Sequence, residues 1–283
     1  MSASIRRQVK AQDVARELAP GQSIALLKEL HLLTRHGDLN ADALRKLKQV
    51  NHLVRLLQPA LDDVLGRFGD PVILDCGAGK GYLGFVLHEL FVGPAAKGTI
   101  VSVEPRHELV AAAEERARRL GFDRMRFVEA ELERAELPAR LHLVTALHAC
   151  DTATDDALAL AVRRNADWIA AVPCCQAEVA GQLARAEAPA PEMAALFHHP
   201  WHRREFGSHL SNVVRVLALE AHGYQVTVTE LTGWEHAMKN ELILARKVRA
   251  RDDAAAGRLA TLLAATGVRP KLVRLLEPAA AGT

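Results

Sequence analysis

One segment of the chain has residue types and spacing suited to binding chemistry. Val72-Ile73-Leu74-Asp75-Cys76-Gly77-Ala78-Gly79-Lys80-Gly81-Tyr82 is a short apolar run that ends in an acid and enters three alternating glycines. Glycines there let a backbone approach a ligand without Cβ clashes, and a following helix offers free N–H groups to a polar or anionic ligand. A P-loop requires Gly-Lys-Ser/Thr; Lys80 is followed by Gly81, so that reading fails. A dinucleotide fingerprint can be laid on Gly79, Gly81 and Gly84, but it leaves Asp75 and Gly77 unexplained. Glu104 ends the next apolar run and can hold the two hydroxyls of a ribose; Glu131, with Ala130 before it, closes the third, where a polar group meets an adenine edge.

A second constellation is Leu147-His148-Ala149-Cys150-Asp151-Thr152-Ala153-Thr154-Asp155, with Val172-Pro173-Cys174-Cys175-Gln176 further on. Four readings compete. The cysteines can be small buried hydrophobes, with Asp151 or Asp155 capping the following helix. His148, Cys150, Cys174 and Cys175 suit zinc by type, but adjacent cysteines chelate poorly compared with C-x₂-C, and no metal is expected. Cys174 or Cys175 can be a nucleophile toward a pyrimidine, loosely similar to the Pro-Cys motif of cytosine-C5 methyltransferases, though the neighbouring residues do not match. The fourth reading rests on a resemblance taken up below.

The elements that must position these groups follow from periodicity. Before Val72 the chain reads as helix: residues 8–19 and 21–35, then 41–58 with Asn40 as N-cap and an end before Pro59. From 72 onward, apolar runs at 72–75, 99–104, 125–130, 142–149 and 168–173 alternate with helices at about 81–91, 106–120 and 152–164, which argues a parallel sheet covered by helices. Residues 224–231 and 241–248 are strands joined by a loop too short for a crossover helix, so the last strand is expected antiparallel. The stretch 181–205 reads as a long excursion after the fifth strand, and the chain from Ala250 as one or two helices fading into a disordered end. The expected division is a helical extension over 1–66, the main domain over 67–250 and a helical tail over 251–283.

The segment 75–81, with Glu104, Glu131 and Gly223-Tyr224 before the sixth strand, resembles the class I S-adenosylmethionine-dependent methyltransferases over about 70–248. The resemblance implies an α/β, Rossmann-like seven-stranded sheet of order 3-2-1-4-5-7-6, its last strand antiparallel, here with an N-terminal helical extension. It also implies S-adenosylmethionine as cofactor: Gly77, Gly79 and Gly81 cradling the methionine part, Glu104 holding the ribose and Glu131 near the adenine, with Asp75, Cys76, Ala78, Tyr82, Ala130 and Leu147 completing the site. His148-x-Cys150-x-x-Ala153-Thr154-Asp155 and Cys174-Cys175 further resemble motifs of the eukaryotic tRNA 2′-O-methyltransferases that modify the acceptor stem. Asp151 stands where that family has Gly and Gln176 where it has His, and the cysteine-rich zinc modules of those enzymes have no counterpart. The candidate catalytic residues are His148, Asp151, Cys174 and Cys175, with His236 as another candidate base. The Asn/Asp-Pro-Pro-Tyr/Phe motif of exocyclic-amine methylation is absent after strand 4, which disfavours that chemistry.

Composition narrows the class. With 49 % hydrophobic and 25 % charged residues the chain reads as an ordinary globular protein, and no apolar run is long enough for a membrane span. The first 19 residues lack the apolar core of a secretory leader, and four cysteines suit a reducing, cytoplasmic setting. Net charge is +2, yet residues 1–60 hold ten Lys/Arg against five Asp/Glu. Arg45, Lys46, Lys48, Arg55 and His198-His199-Pro200-Trp201-His202-Arg203-Arg204 could contact phosphates, and Trp201 could stack on a base; a solvated surface and a packed anchor are the plain alternatives. RNA is the expected substrate, with a protein or small-molecule methyltransferase, or a non-catalytic cofactor-binding module, as alternatives.

Overall fold

A computed structural model of the protein describes residues 17–33, 41–147, 152–173, 177–185, 194–231 and 241–277. Most of the helix expected over 8–19, the N-cap at Asn40 and the chain end after Glu277 lie outside them. The seven strands are β1 Val72–Cys76, β2 Thr99–Glu104, β3 Met125–Glu129, β4 Leu143–Leu147, β5 Trp168–Val172, β6 Tyr224–Glu230 and β7 Glu241–Lys247. They form one sheet of order β3-β2-β1-β4-β5-β7-β6, with β7 antiparallel to β5. This is the expected Rossmann-like methyltransferase sheet.

By its contacts the chain falls into two units. One comprises the described residues within Met1–Leu137 and Glu230–Met238, the other those within Pro138–Thr229 and Lys239–Thr283. In the first, β1 pairs in parallel with β2 and β2 with β3. The strands read as near-continuous apolar runs because helices cover parallel sheets. Helix α1 spans Ile24–Glu29, shorter than the 21–35 expected. Ser23 caps it by accepting the Leu26 N–H (3.1 Å), while its hydroxyl donates to Glu89.

Helix α2 corrects an expectation. It runs Ala41–Arg67, through Pro59, rather than ending before it. A proline inside a helix leaves the carbonyl four residues earlier without its donor. Arg55 and Pro59 both face solvent, so water reaches that carbonyl. Leu57, Ala60, Leu61 and Val64 are fully buried and continue the apolar stripe at helical spacing, and their burial outweighs one lost hydrogen bond. Helix α3, Tyr82–Leu87, passes into a π-turn at His88–Val92, and α4 spans His107–Leu120.

In the second unit β4 and β5 are parallel, and β7 lies between β5 and β6. Its helices are α5 Ala153–Arg163, α6 Ala177–Arg185, α7 Ala194–His198, α8 Pro200–Ala221, α9 Asp253–Thr266 and α10 Lys271–Leu276. The described part of the 181–205 stretch is therefore mainly helix, not open excursion. Its apolar face explains why: Val179, Leu183, Leu210 and Val214 from α6 and α8 share one core with Val268 and Val273, against which Leu259, Leu262 and Leu263 of α9 pack. A buried ion pair crosses this layer. Arg215 Nε and Nη2 donate to the two carboxylate oxygens of Asp155 (2.8 and 3.1 Å), and Nη1 donates to Asn212 Oδ1 (3.1 Å). Burial pushes the Asp155 carboxyl up from the usual carboxylate range, and the Arg215 guanidinium opposes that rise. Asp155 is thus an ion-pair partner of α8 rather than the helix cap one reading assigned it.

Two outcomes are expected from equilibrium urea unfolding. Pro59→Ala restores the missing donor at a solvent-facing turn and raises stability by about 1–3 kcal/mol. Asp155→Ala strands the Arg215 charge and costs about 3–5 kcal/mol, whereas replacing both partners with apolar residues of similar volume costs much less.

Candidate cofactor site

The loop after β1 turns three times through the left-handed region, with φ of 66° at Gly77, 57° at Gly79 and 73° at Gly81. Side chains with a Cβ adopt that region at a cost of roughly 1–2 kcal/mol per residue, so the Gly-x-Gly-x-Gly spacing is a backbone requirement. Four bonds fix the loop. Ala78 N–H donates to the Val103 carbonyl of β2 (3.0 Å), and Gly81 N–H to the Ala78 carbonyl (2.8 Å). Gly79 N–H donates to Glu104 Oε2 (2.8 Å), and Arg116 of α4 donates to the Lys80 carbonyl (3.2 Å). Gly81 then serves as the N-cap of α3. Gly84 has a different part: a Cβ there would meet Ser102 Oγ at 3.2 Å and Met125 Cε at 3.3 Å, so it seats α3 on the sheet.

Glu104 is the hub. It closes β2, is only 4 % exposed, and accepts from the backbone N–H and the Nε of Arg106 through Oε1 (3.2 and 2.6 Å) while Oε2 takes Gly79. Burial alone would raise its carboxyl; the Arg106 guanidinium, the two backbone N–H donors and the charge of Arg106 together hold it below the usual carboxylate range. The group is therefore an anion at neutral pH, an acceptor suited to hydroxyl donors.

The other expected residues divide. Asp75 is buried in β1 in register with Ser102 and is engaged within the fold. Cys76 is buried among core side chains, and burial, reinforced by the Asp75 charge, pushes its thiol well up, so only its backbone is available to a ligand. Ala78 and Tyr82 are half-buried on the loop and at the start of α3. β3 ends at Glu129, so Ala130 and Glu131 lie just past the strand. Glu131 is exposed before a short 3₁₀ turn, and Glu129 is bonded to His107 (2.6 Å). Leu147 ends β4, half-buried. His148, Asp151, Cys174 and Cys175, like Cys150, Gln176 and His236, lie outside the described residues. Arg106 and Arg116 were missed in the sequence; a basic residue two positions after the strand-end acid is the one local signal that pointed to the first. Among the basic residues of α2, Lys48 pairs with Glu17 (3.5 Å), and with Arg55 and His52 it lines a cavity of about 730 Å³. Among the described residues no cluster of three or more His, Cys, Asp or Glu could hold a metal ion.

Residues 45–182, just under half of the chain, match the family model described as a methyltransferase domain. Among curated proteins the chain is similar to the glutathione S-transferase C-terminal domain-containing protein of Mus musculus, 30 % identical over 142 residues, 50 % of this chain and 20 % of that one. The Bos taurus protein of the same name is 24 % identical over 232 residues, 74 % of this chain and 34 % of that one. The chain thus spans about a fifth to a third of the length of these relatives. Similar solved structures include an rRNA methylase from Streptococcus thermophilus (11 % identity, 69 % of this chain and 96 % of that one, TM-score 0.45). Another is magnesium protoporphyrin IX methyltransferase from Synechocystis PCC 6803 with bound S-adenosylmethionine (12 %, 82 % and 100 %, TM-score 0.45). Strand order and glycine loop are those of a Rossmann-like methyltransferase fold, residues 45–182 match a methyltransferase domain, and S-adenosylmethionine is the cofactor that this arrangement suits. The residues present fit that group. A Cβ on Gly79 would find only the tip of Arg106, at 4.0 Å, so the loop offers an open cradle beside an ionised acid.

Glu104→Ala is expected to weaken S-adenosylmethionine binding by roughly ten-fold or more, since charge-assisted hydrogen bonds carry about 1.5–3 kcal/mol each. Calorimetric titration checks this. Because the Glu104 carboxyl is held down, its contribution is complete above its ordinary pKa of about 4.3 and is lost only as pH falls through the lowered native value. Wild-type affinity should therefore not vary through this group between about pH 5 and 8.

Proposed function

We propose that this methyltransferase acts on RNA, with a ribose 2′-hydroxyl of tRNA as the leading acceptor, in a reducing cytoplasmic compartment. For methyl transfer as such, the observation that carries the reading is the Glu104–Gly79 bond, which holds a ligand cradle open at the carboxyl end of β1 and β2. For the acceptor, support comes from the motif His148-x-Cys150-x-x-Ala153-Thr154-Asp155 with Cys174-Cys175. When bound, S-adenosylmethionine supplies a methyl carbon on a cationic sulfur. The chain has to align a nucleophile with that carbon and take the proton from an attacking hydroxyl. His148 and Asp151 are the proposed proton acceptors, and Cys174 and Cys175 the proposed catalytic or pocket-forming thiols. Thr154 and Asp155 have a positioning part: both are buried in the first turn of α5, and Asp155 is tied to Arg215.

The test has two stages. Calorimetry should show S-adenosylmethionine binding; its absence would remove the reading altogether. Tritiated cofactor should then label total RNA, and nuclease digestion should place the label on ribose. Label in the protein fraction or in small molecules would overturn the RNA assignment. If Asp151→Ala and Cys174→Ala retain wild-type single-turnover rates, the proposed catalytic roles are wrong.

A further inference from the structure

We propose that the first turns of α8 form a base-stacking platform for single-stranded RNA, an inference that rests on the RNA reading above and names the surface that would engage it. Helix α8 has 22 residues, and its buried positions begin only at Gly207. Phe206 packs against the core beside it, and residues 200–205 form an overhang of about 9 Å at the helical rise. This overhang carries Trp201, 55 % exposed, an unusual setting for so large an aromatic surface. The Arg204 guanidinium lies 4.3 Å from the Trp201 ring centroid, and the His199 and His202 rings meet edge to face at 5.4 Å. Glu205 is the one acid between 198 and 206, and it bonds the Arg204 Nε (3.1 Å).

The base of the overhang is clamped. At Gly207 a Cβ would fall 2.8 Å from the Ala180 backbone, so α8 and α6 touch there at main-chain distance. One turn on, Ser211 Oγ donates to the Gly207 carbonyl (2.7 Å), and two turns on Arg215 is locked to Asp155. The aromatic and basic side chains thus project from an already ordered helix, and binding need not bear the cost of ordering the backbone. Their chemistry selects the partner. Every nucleobase presents a π-face to an indole, and guanidinium groups pair with phosphate; aromatic side chains interleaved with cations are the recurring means of holding unpaired strands. A lipid or apolar peptide would find aliphatic neighbours useful. Among the described side chains of 194–206, Leu196 is the one exposed aliphatic of any size.

The experiment is fluorescence anisotropy with fluorescein-labelled twelve-nucleotide uridine and adenosine RNAs, in parallel with anionic phosphatidylserine vesicles. Trp201→Ala should weaken RNA binding roughly five- to hundred-fold, and Trp201→Phe, which keeps a stacking face, should recover most of it. Arg204→Gln should reduce the slope of log affinity against log salt by about 0.7. Melting temperature and S-adenosylmethionine affinity should not move, because both side chains face solvent. If both variants bind RNA as the wild type does, the platform is overturned while RNA methylation stands. If wild-type protein binds no oligonucleotide, or binds the vesicles in its place through Trp201, the platform and the RNA reading both fall.

Discussion

The cofactor half of the molecule depends on one carboxylate accepting one backbone N–H. Glu104 ends β2, Gly79 stands in the loop leaving β1, and the 2.8 Å bond between them joins two neighbouring strand ends. Without it the left-handed turns at Gly77, Gly79 and Gly81 would lose the bond that ties Gly79 to the end of β2, leaving the Ala78 bonds, Arg116 and the Phe85 N–H bond to the Gly81 carbonyl to hold them. The same carboxylate bonds the Arg106 backbone N–H, so it also fixes where α4 begins. A burial penalty that would neutralise an isolated acid is overcome because every donor around it converges on the charged form. The loop is thereby pre-shaped, and its shape is tied to an ionised acid.

Arg106 takes up acceptor capacity that a ribose would use. Its Nε is 2.6 Å from Oε1, but its side chain is 60 % exposed, so the guanidinium can leave for water at little cost. The Gly79 bond is different in kind, coming from a backbone that β2, α3 and α4 all hold. Displacement by a ligand thus has an exposed side chain to move and a fixed main chain to keep, which lets the acid be satisfied both with and without its partner.

Much of this was legible in the sequence. Strands β1 to β7 lie within a residue or two of their expected limits because apolar runs bounded by glycine, proline or acid are a local signal, and the left-handed turns were written in the glycine spacing. The failures share a cause. Pro59 reads locally as a helix stop; it is overruled by Ala60, Leu61 and Val64, whose burial is a tertiary fact. The stretch 181–205 looked like loop from its Ala, Pro and His content, yet Val179 and Leu183 belong to a core whose other members lie up to 94 residues away. Arg215 carried no local signal at all, since its partner is sixty residues distant. His148, Asp151, Cys174 and Cys175, on which catalysis is proposed, lie outside the described residues.

Asp155 shows why a motif is not a list of catalysts. It sits inside the His148–Asp155 pattern, yet its carboxylate is spent on Arg215 and is 5 % exposed. A buried ion pair gains little net stability over an apolar pair of equal volume, but a lone buried charge is costly, so the pair enforces one seating of α5 against α8. A substitution at Asp155 would therefore damage activity through helix placement, and kinetics alone would mistake it for a lost base. Stability and cofactor affinity measured on the same variant separate the two, because a true proton acceptor can be removed with both intact.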